Sequence, residues 1–322
     1  MFPPRNGHYI HMNDDMWADY PFPLISTPAV DRGYTDQFVR SSSKMALVHN
    51  ILIRGMNAMY LQCEYITPET ASDFMTFCQC WSEMLHNHHE CEEAAYFPMI
   101  EKAVGVEGLA ESNLDEHEAF MPGLRRFDEY VYNTPARTFS GRRVYAILES
   151  FAAALQMHLT EEIVWILSLS KYPGLDLAAI DRQHGLYVKA HSSRLRLLPY
   201  LLTNHDVTYE GGIHAGWPTG SRLRDLFLRY VCTQRHRGAW RYSACTYGGR
   251  PRKLLGIRRD KGEETAAGMA MVDLDLGTAS GPTLPAKAHT KEEREPARRS
   301  CSRSPSISHM GSPSRASATM LV

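Results

Sequence analysis

A His-x-x-x-Glu turn set inside an apolar stripe of helical period constrains this chain more than any other feature, and it occurs twice. Cys78, Trp81, Leu85, His88, Glu92, Ala95 and Met99 follow one another at steps of three or four, as do Leu148, Phe151, Leu155, His158, Glu162, Trp165 and Leu169. Such spacing puts each set on one face of an α-helix, the face a core would cover. A glutamate on that face is costly to bury unless it is paired or binds a metal. Two more stripes hold one imidazole each: Met45, His49, Leu52, Met56 and Tyr60, and Leu114, His117, Met121 and Leu124. His88 follows His49 by 39 residues and His158 follows His117 by 41, so the chain reads as two helical hairpins of like content. Packed together, they would bring four histidines and two glutamates to one height in a four-helix bundle, where imidazole and carboxylate metal sites are built.

For any one of these residues the plainer reading is a hydrogen-bonded core side chain. Satisfying all six separately is less economical than one shared centre. The candidate metal ligands are therefore His49, His88, Glu92, His117, His158 and Glu162, with the glutamates bridging two ions. His89 and Glu93 have the same spacing, but they fall on a stripe with Ser82 and Tyr96, whereas His88 and Glu92 align with Trp81, Leu85 and Met99. His86 is expected to face solvent or a neighbouring side chain. Glu83 and His86 form one Glu-x-x-His turn, where ferritin-like di-iron carboxylate proteins use two, so that class is disfavoured.

The punctuation between the stripes predicts an all-α chain. Residues 1–37 read as an irregular arm without a helix, packing through Trp17 and Phe22. Residues 38–172 read as an up-down-up-down four-helix bundle, since its connections are short. Thr67-Pro68 opens the second helix, a Ser112-to-Asp115 capping box the third and Ser140 the fourth, which ends near Tyr172-Pro173-Gly174. Pro122 should kink the third helix just past His117. Residues 173–256 read as an accessory helical region packed on the bundle, and the Ser/Arg/Pro-rich residues 257–322 as a disordered tail. Arg235-His236-Arg237 with Trp240-Arg241 reads as a basic helix end whose tryptophan anchors the accessory region, in preference to a nucleic-acid patch.

Lysine plus arginine total 35 against 36 acidic residues, which gives no global pull toward nucleic acid or a membrane surface. The first residues lack the apolar run of a secretory signal, and no segment has about 18 uncharged apolar residues in a row. Seven cysteines, an odd count, do not read as a disulfide framework. Reduced thiols in the cytosol, or the nucleus, fit better. Cys78 and Cys80 point to different faces of a helix and read as small buried hydrophobes.

The segments MALVHNILIRGMNAMYLQ, HNHHECEEAAYFP, DEHEAF and HLTEEI resemble the four metal-bearing helices of hemerythrin-like, HHE cation-binding domains. WADYPFPLI, HDVTYEGG and HRGAWRY further resemble the longer form found in filamentous fungi, which extends the likeness to about residue 256. The resemblance implies a left-handed bundle with a non-haem di-iron centre that binds or senses oxygen, iron or related small molecules. Zinc or manganese would accept many of the same ligands. Oxygen-carrying hemerythrins have a fifth histidine one turn from the helix-three ligand. Asn113 and Met121 hold those positions here, which implies a ligand position left vacant or filled by water. The expected activity is sensing of, or reaction with, oxygen, nitric oxide, peroxide or iron, more in the manner of a metal-binding protein than of a turnover enzyme. The alternatives are an iron-responsive interaction module and a di-iron oxidase or peroxidase with a separate substrate.

Overall fold

Two asparagines seven residues apart on the first long helix fix the path of the N-terminal arm. The computed structural model describes residues 18–193, 195–218, 226–227 and 230–254; Trp17, the 257–322 tail and most of SRLRDLFLRY lie outside the described residues. Asn57 accepts from the Phe22 amide at 3.0 Å and donates to the carbonyls of Ala18 and Phe22, while Asn50 pairs in the same way with both backbone groups of Ile25. Each amide side chain thus replaces a strand partner for backbone that would otherwise be buried without one. Phe22 is buried as expected. The arm does contain a helix, contrary to the sequence reading: α1, Pro28–Arg32, with proline in its first turn and Gly33 ending it at φ +63°.

Helix α2, Gln37–Gln62, starts at Asp36, whose carboxylate caps the amides of Phe38 and Val39. Helix α3, Pro68–Cys91, opens on the Thr67 and Thr70 capping box with Pro68 at its start. A π-turn, Glu92–Tyr96, then leads without a break into α4, Phe97–Val104, which Gly105 closes in the left-handed conformation. Pro98 supplies a physical reason for the π-turn. It has no N–H for the carbonyl four residues back, and the neighbouring Phe97 amide reaches Glu92, five residues back.

Helix α5, Glu111–Asn133, begins after Ala110 with no side-chain cap, so the Ser112 capping box does not form. The helix remains one element through Pro122, and the carbonyl that the proline frees belongs to Glu118, which is exposed to water. Its buried face runs through Asn113, His117, Phe120, Leu124, Phe127 and Val131; Leu114, expected on that face, is 40% exposed. The fourth bundle helix is divided at Ser150–Phe151 into α6, Gly141–Glu149, and α7, Ala152–Ser168. There Ser150 bonds back to the Ile147 carbonyl and competes with the helical ladder.

Helix α2 packs on α3 and α7, and α5 packs on the same two, which closes the four-helix bundle. Trp81, Phe74, Phe77, Phe120, Phe127, Ile51 and Leu52 fill its interior. Beyond it the accessory residues form α8, Leu177–His191, and α9, Leu197–Asn204. Both lie against α2 and α3. Trp240 is buried as the expected anchor, with its indole N–H on the Thr233 carbonyl. A partly buried network ties the arm to this region: Glu210 accepts from the Thr27 amide at 2.8 Å, and His214 bridges Glu210 and Tyr34 at 2.6 Å each. Among the described residues there is no β-strand, only an isolated bridge between Cys245 and Pro251, and no helix is long and apolar enough to cross a membrane. Cys78 and Cys80 are fully buried and free.

Gly55 is where α9 meets the bundle. The Tyr200 hydroxyl donates to the Ile51 carbonyl across this point, and a Cβ on Gly55 would collide with that hydroxyl and with Trp81. Gly55→Ala should therefore cost about 1–3 kcal/mol, the usual price of overpacking. Thermal melting measures it, and Tyr200→Phe in the same chain should recover part of the loss.

Candidate metal centre

At mid-height of the bundle the helices turn polar side chains inward. His49 comes from α2, His88 and His89 from the last turn of α3, Glu92 from the π-turn, His117 from α5, and His158 and Glu162 from α7. All seven are buried, Glu92 and Glu162 completely. Their ligand atoms form two groups, each within 4.8 Å: His49, His88, Glu92 and Glu162 in one, and His89, His117 and His158 in the other. The six residues marked by the stripes are thus brought together, and His89 joins them.

His89 corrects the sequence reading twice. It lies beside the six instead of on a stripe apart from them, and it offers a fifth imidazole, from α3 and not from the third bundle helix. Ser82 and Tyr96, which share its stripe, are also buried, and Ser82 donates to Asp128 of α5. A bundle helix touches two neighbours and so buries two stripes; α3 turns one toward α2 and the other toward α5. His86 also bonds to Asp128, at 2.8 Å, and this bond holds its ring above the ordinary histidine range. Glu83 is held by Arg196 and Tyr132, so the Glu-x-x-His turn stays outside the centre.

The outer nitrogens fix which ring nitrogen faces inward. His49 Nδ1 lies 2.6 Å from the Leu159 carbonyl, an acceptor only, so Nδ1 carries the proton. His117 Nδ1 donates to Glu93 at 2.6 Å and His158 Nδ1 to Glu116 at 3.0 Å. Sequence reasoning missed both carboxylates, although each is adjacent in sequence to a marked residue. The Nε2 atoms turn inward and meet in pairs: 2.9 Å separates His49 from His88, and 3.1 Å separates His117 from His158. His49 Nε2 also lies 3.1 Å from Glu162 and His88 Nε2 3.2 Å from Glu92.

Burial, reinforced by the other histidines, pushes His88, His89 and His158 well below the usual histidine range, so these rings are neutral at pH 7. Burial first, and then the Glu162 charge, pushes Glu92 well above the carboxylate range. Among the described residues no donor satisfies either oxygen of Glu92, either oxygen of Glu162, or His89 Nε2. Buried carboxylates without donors are costly. A cation held between them and the converging imidazoles would remove that cost, so this donor set fits metal. Helix α8 closes over the same region, with His184 at 4.8 Å from the Tyr96 ring and its buried Nε2 unpartnered.

The hemerythrin HHE cation binding domain matches residues 42–166, the span that carries every one of these side chains. The chain belongs to this family. A protein of Cryptosporiopsis sp. (strain 8999) named dimeric xanthone biosynthesis cluster protein R11 is 31% identical over 252 residues, which cover 77% of this chain and 96% of the relative. The likeness therefore runs beyond the HHE domain into the residues that form the accessory helices. No solved structure matches the chain. This HHE protein departs from the fifth-histidine position expected on the third bundle helix, where Asn113 is buried and Met121 half-buried.

Proposed function

We propose that this HHE protein holds two non-haem iron ions through His49, His88, Glu92, His117, His158 and Glu162 together with His89, and that it senses or reacts with oxygen, nitric oxide or peroxide. The observation that carries this reading is the pair of adjacent ligand groups, two imidazoles with two carboxylates beside three imidazoles, with every carboxylate oxygen unsatisfied. Mixed imidazole and carboxylate donors suit iron, and with both glutamates shared between the ions the group with two imidazoles would leave more room for a small ligand than the group with three. A bound iron pair would supply the redox capacity. The chain's own residues hold the Nδ1 protons on Leu159, Glu93 and Glu116, which orients the rings. Their burial keeps bulk water from the centre.

A second reading, an oxidase acting on a separate substrate, is favoured by the relative's name, which places that protein in a biosynthesis cluster. The free cysteines support a reducing compartment such as the cytosol. Protein purified from medium balanced in iron, zinc and manganese should contain about two irons per chain. After anaerobic reduction its absorption should respond to oxygen or nitric oxide. Zinc or manganese in place of iron, or a spectrum indifferent to both gases, would refute the proposal.

A further inference from the structure

The accessory region carries cations that the metal centre does not use. Between the second turn of α3 and the loop Cys232–Tyr242 lies a cavity of about 390 Å³, lined by Asp73, Thr76, Arg235, His236, Arg237 and Arg241 among others. Arg241 is engaged: it donates to Asp73 at 2.8 Å and to the Gly238 carbonyl at 3.0 Å. Among the described residues the side chains of Arg235 and Arg237 are exposed and have no hydrogen bond or ion pair, and His236 Nε2 is buried without a partner. Three guanidinium groups therefore share one wall with a single carboxylate.

We propose that this cavity binds a small dianionic oxyanion ligand, a phosphate monoester. The planar fork of a guanidinium matches phosphate oxygens in bidentate fashion, and two free forks beside a third that is half-neutralised set the charge at about two. Burial, and then the Arg196 and Arg235 charges, hold the His236 ring below its ordinary value, a repulsion that an anion would relieve. Gly238 contributes by its size, because a Cβ there would run into the Asp73 carboxylate and push it across the cavity. The site is concave and small, which suits a compact ligand better than a nucleic-acid backbone, whose binding draws on charges spread along a surface.

Calorimetry on the full chain with inorganic phosphate and glycerol 2-phosphate, at constant ionic strength, tests the proposal. Saturable one-to-one binding is expected, and the Arg235→Gln/Arg237→Gln double variant should weaken it at least about tenfold, the loss of one charge-assisted bond or more. Asp73→Asn should act in the opposite direction and tighten binding. The His236 ring resonance should shift on titration, while iron content and melting temperature remain those of the parent in the arginine variant. Non-saturating heats, equal affinity in the arginine variant, weaker binding in Asp73→Asn, or displacement of the phosphate ester by a single-stranded oligonucleotide at lower concentration would each overturn it.

Discussion

Glu92→Ala or Glu162→Ala should leave the purified protein with less than two metal ions per chain while making its metal-free form more stable. The two effects have one cause. Both carboxylates are fully buried and lack donors, so in the absence of a cation each is a cost to folding. Replacing buried charged groups by apolar side chains of similar volume is often stabilising by about 1–4 kcal/mol, a gain that the cavity left by alanine reduces, and each kcal/mol is about 2–4 °C of melting temperature in a domain of this size. The isosteric Glu92→Gln gives the cleaner measurement because it creates no cavity. The sign of its pH dependence follows from the upward shift of the Glu92 carboxyl, caused by burial and then by Glu162. Above the ordinary value near 4.5 the unfolded chain has released this proton while the folded metal-free chain retains it. The cost of the native glutamate therefore grows as pH rises from that value. The melting-temperature advantage of Glu92→Gln should widen in the same direction, measured in chelator. With metal present the order should reverse, because the lost ligand then outweighs the relieved burial. Full stoichiometry in both alanine variants would remove these glutamates from the centre.

Much of this arrangement was legible because helical period marks a buried face, and His88, Glu92, His158 and Glu162 interrupt that face where an apolar residue would otherwise sit. The arm was less legible. Its anchors, Asn50 and Asn57, are polar residues on an otherwise buried helix, and nothing local states which backbone they will pair with. On α5 the stripe was placed one step off at Leu114, since Leu114 and Asn113 both precede His117 by about one turn and apolarity chose the wrong one. Its true face continues through Phe120, Leu124 and Phe127. The π-turn at Glu92–Tyr96 left a weaker trace, Pro98, which forbids a regular ladder without stating how it will be relieved. Gly123 and Gly141 needed the tertiary structure as well, because Phe151 and the Cys63 carbonyl occupy the space where their side chains would be.

His89→Ala should cost the protein metal as severely as His88→Ala, an outcome opposite to the one a single-stripe reading of α3 gives. His89 is 6% exposed, its ring centroid lies 4.2 Å from that of His117 and 5.2 Å from that of His158, and its Nε2 has no partner. A core histidine serving only to fill space would be expected to bond to a carbonyl or hydroxyl. This one leaves an unsatisfied nitrogen in one group with the nitrogens of His117 and His158. Removing it leaves His117 and His158 as the only imidazoles of their group, and affinity at that half should fall at least about a hundredfold, the upper range seen when even an outer partner of a ligand is lost. Metal content should decline toward one ion per chain, with a changed absorption spectrum for what remains. His86→Ala is the control, since His86 bonds to Asp128 outside the centre and should retain the parent's metal. Unchanged stoichiometry and spectrum in His89→Ala would show that the ring is packing only, and would return the centre to four imidazoles with a ligand position left to water. As a ligand, a fifth imidazole from α3 would instead fill that position and add the donation that favours reversible oxygen binding over one-way oxidation by air. The discriminating measurement is then made on the parent and on His89→Ala together: repeated cycles of oxygen exposure and argon, without added reductant, should recover the reduced spectrum to a greater extent in the parent.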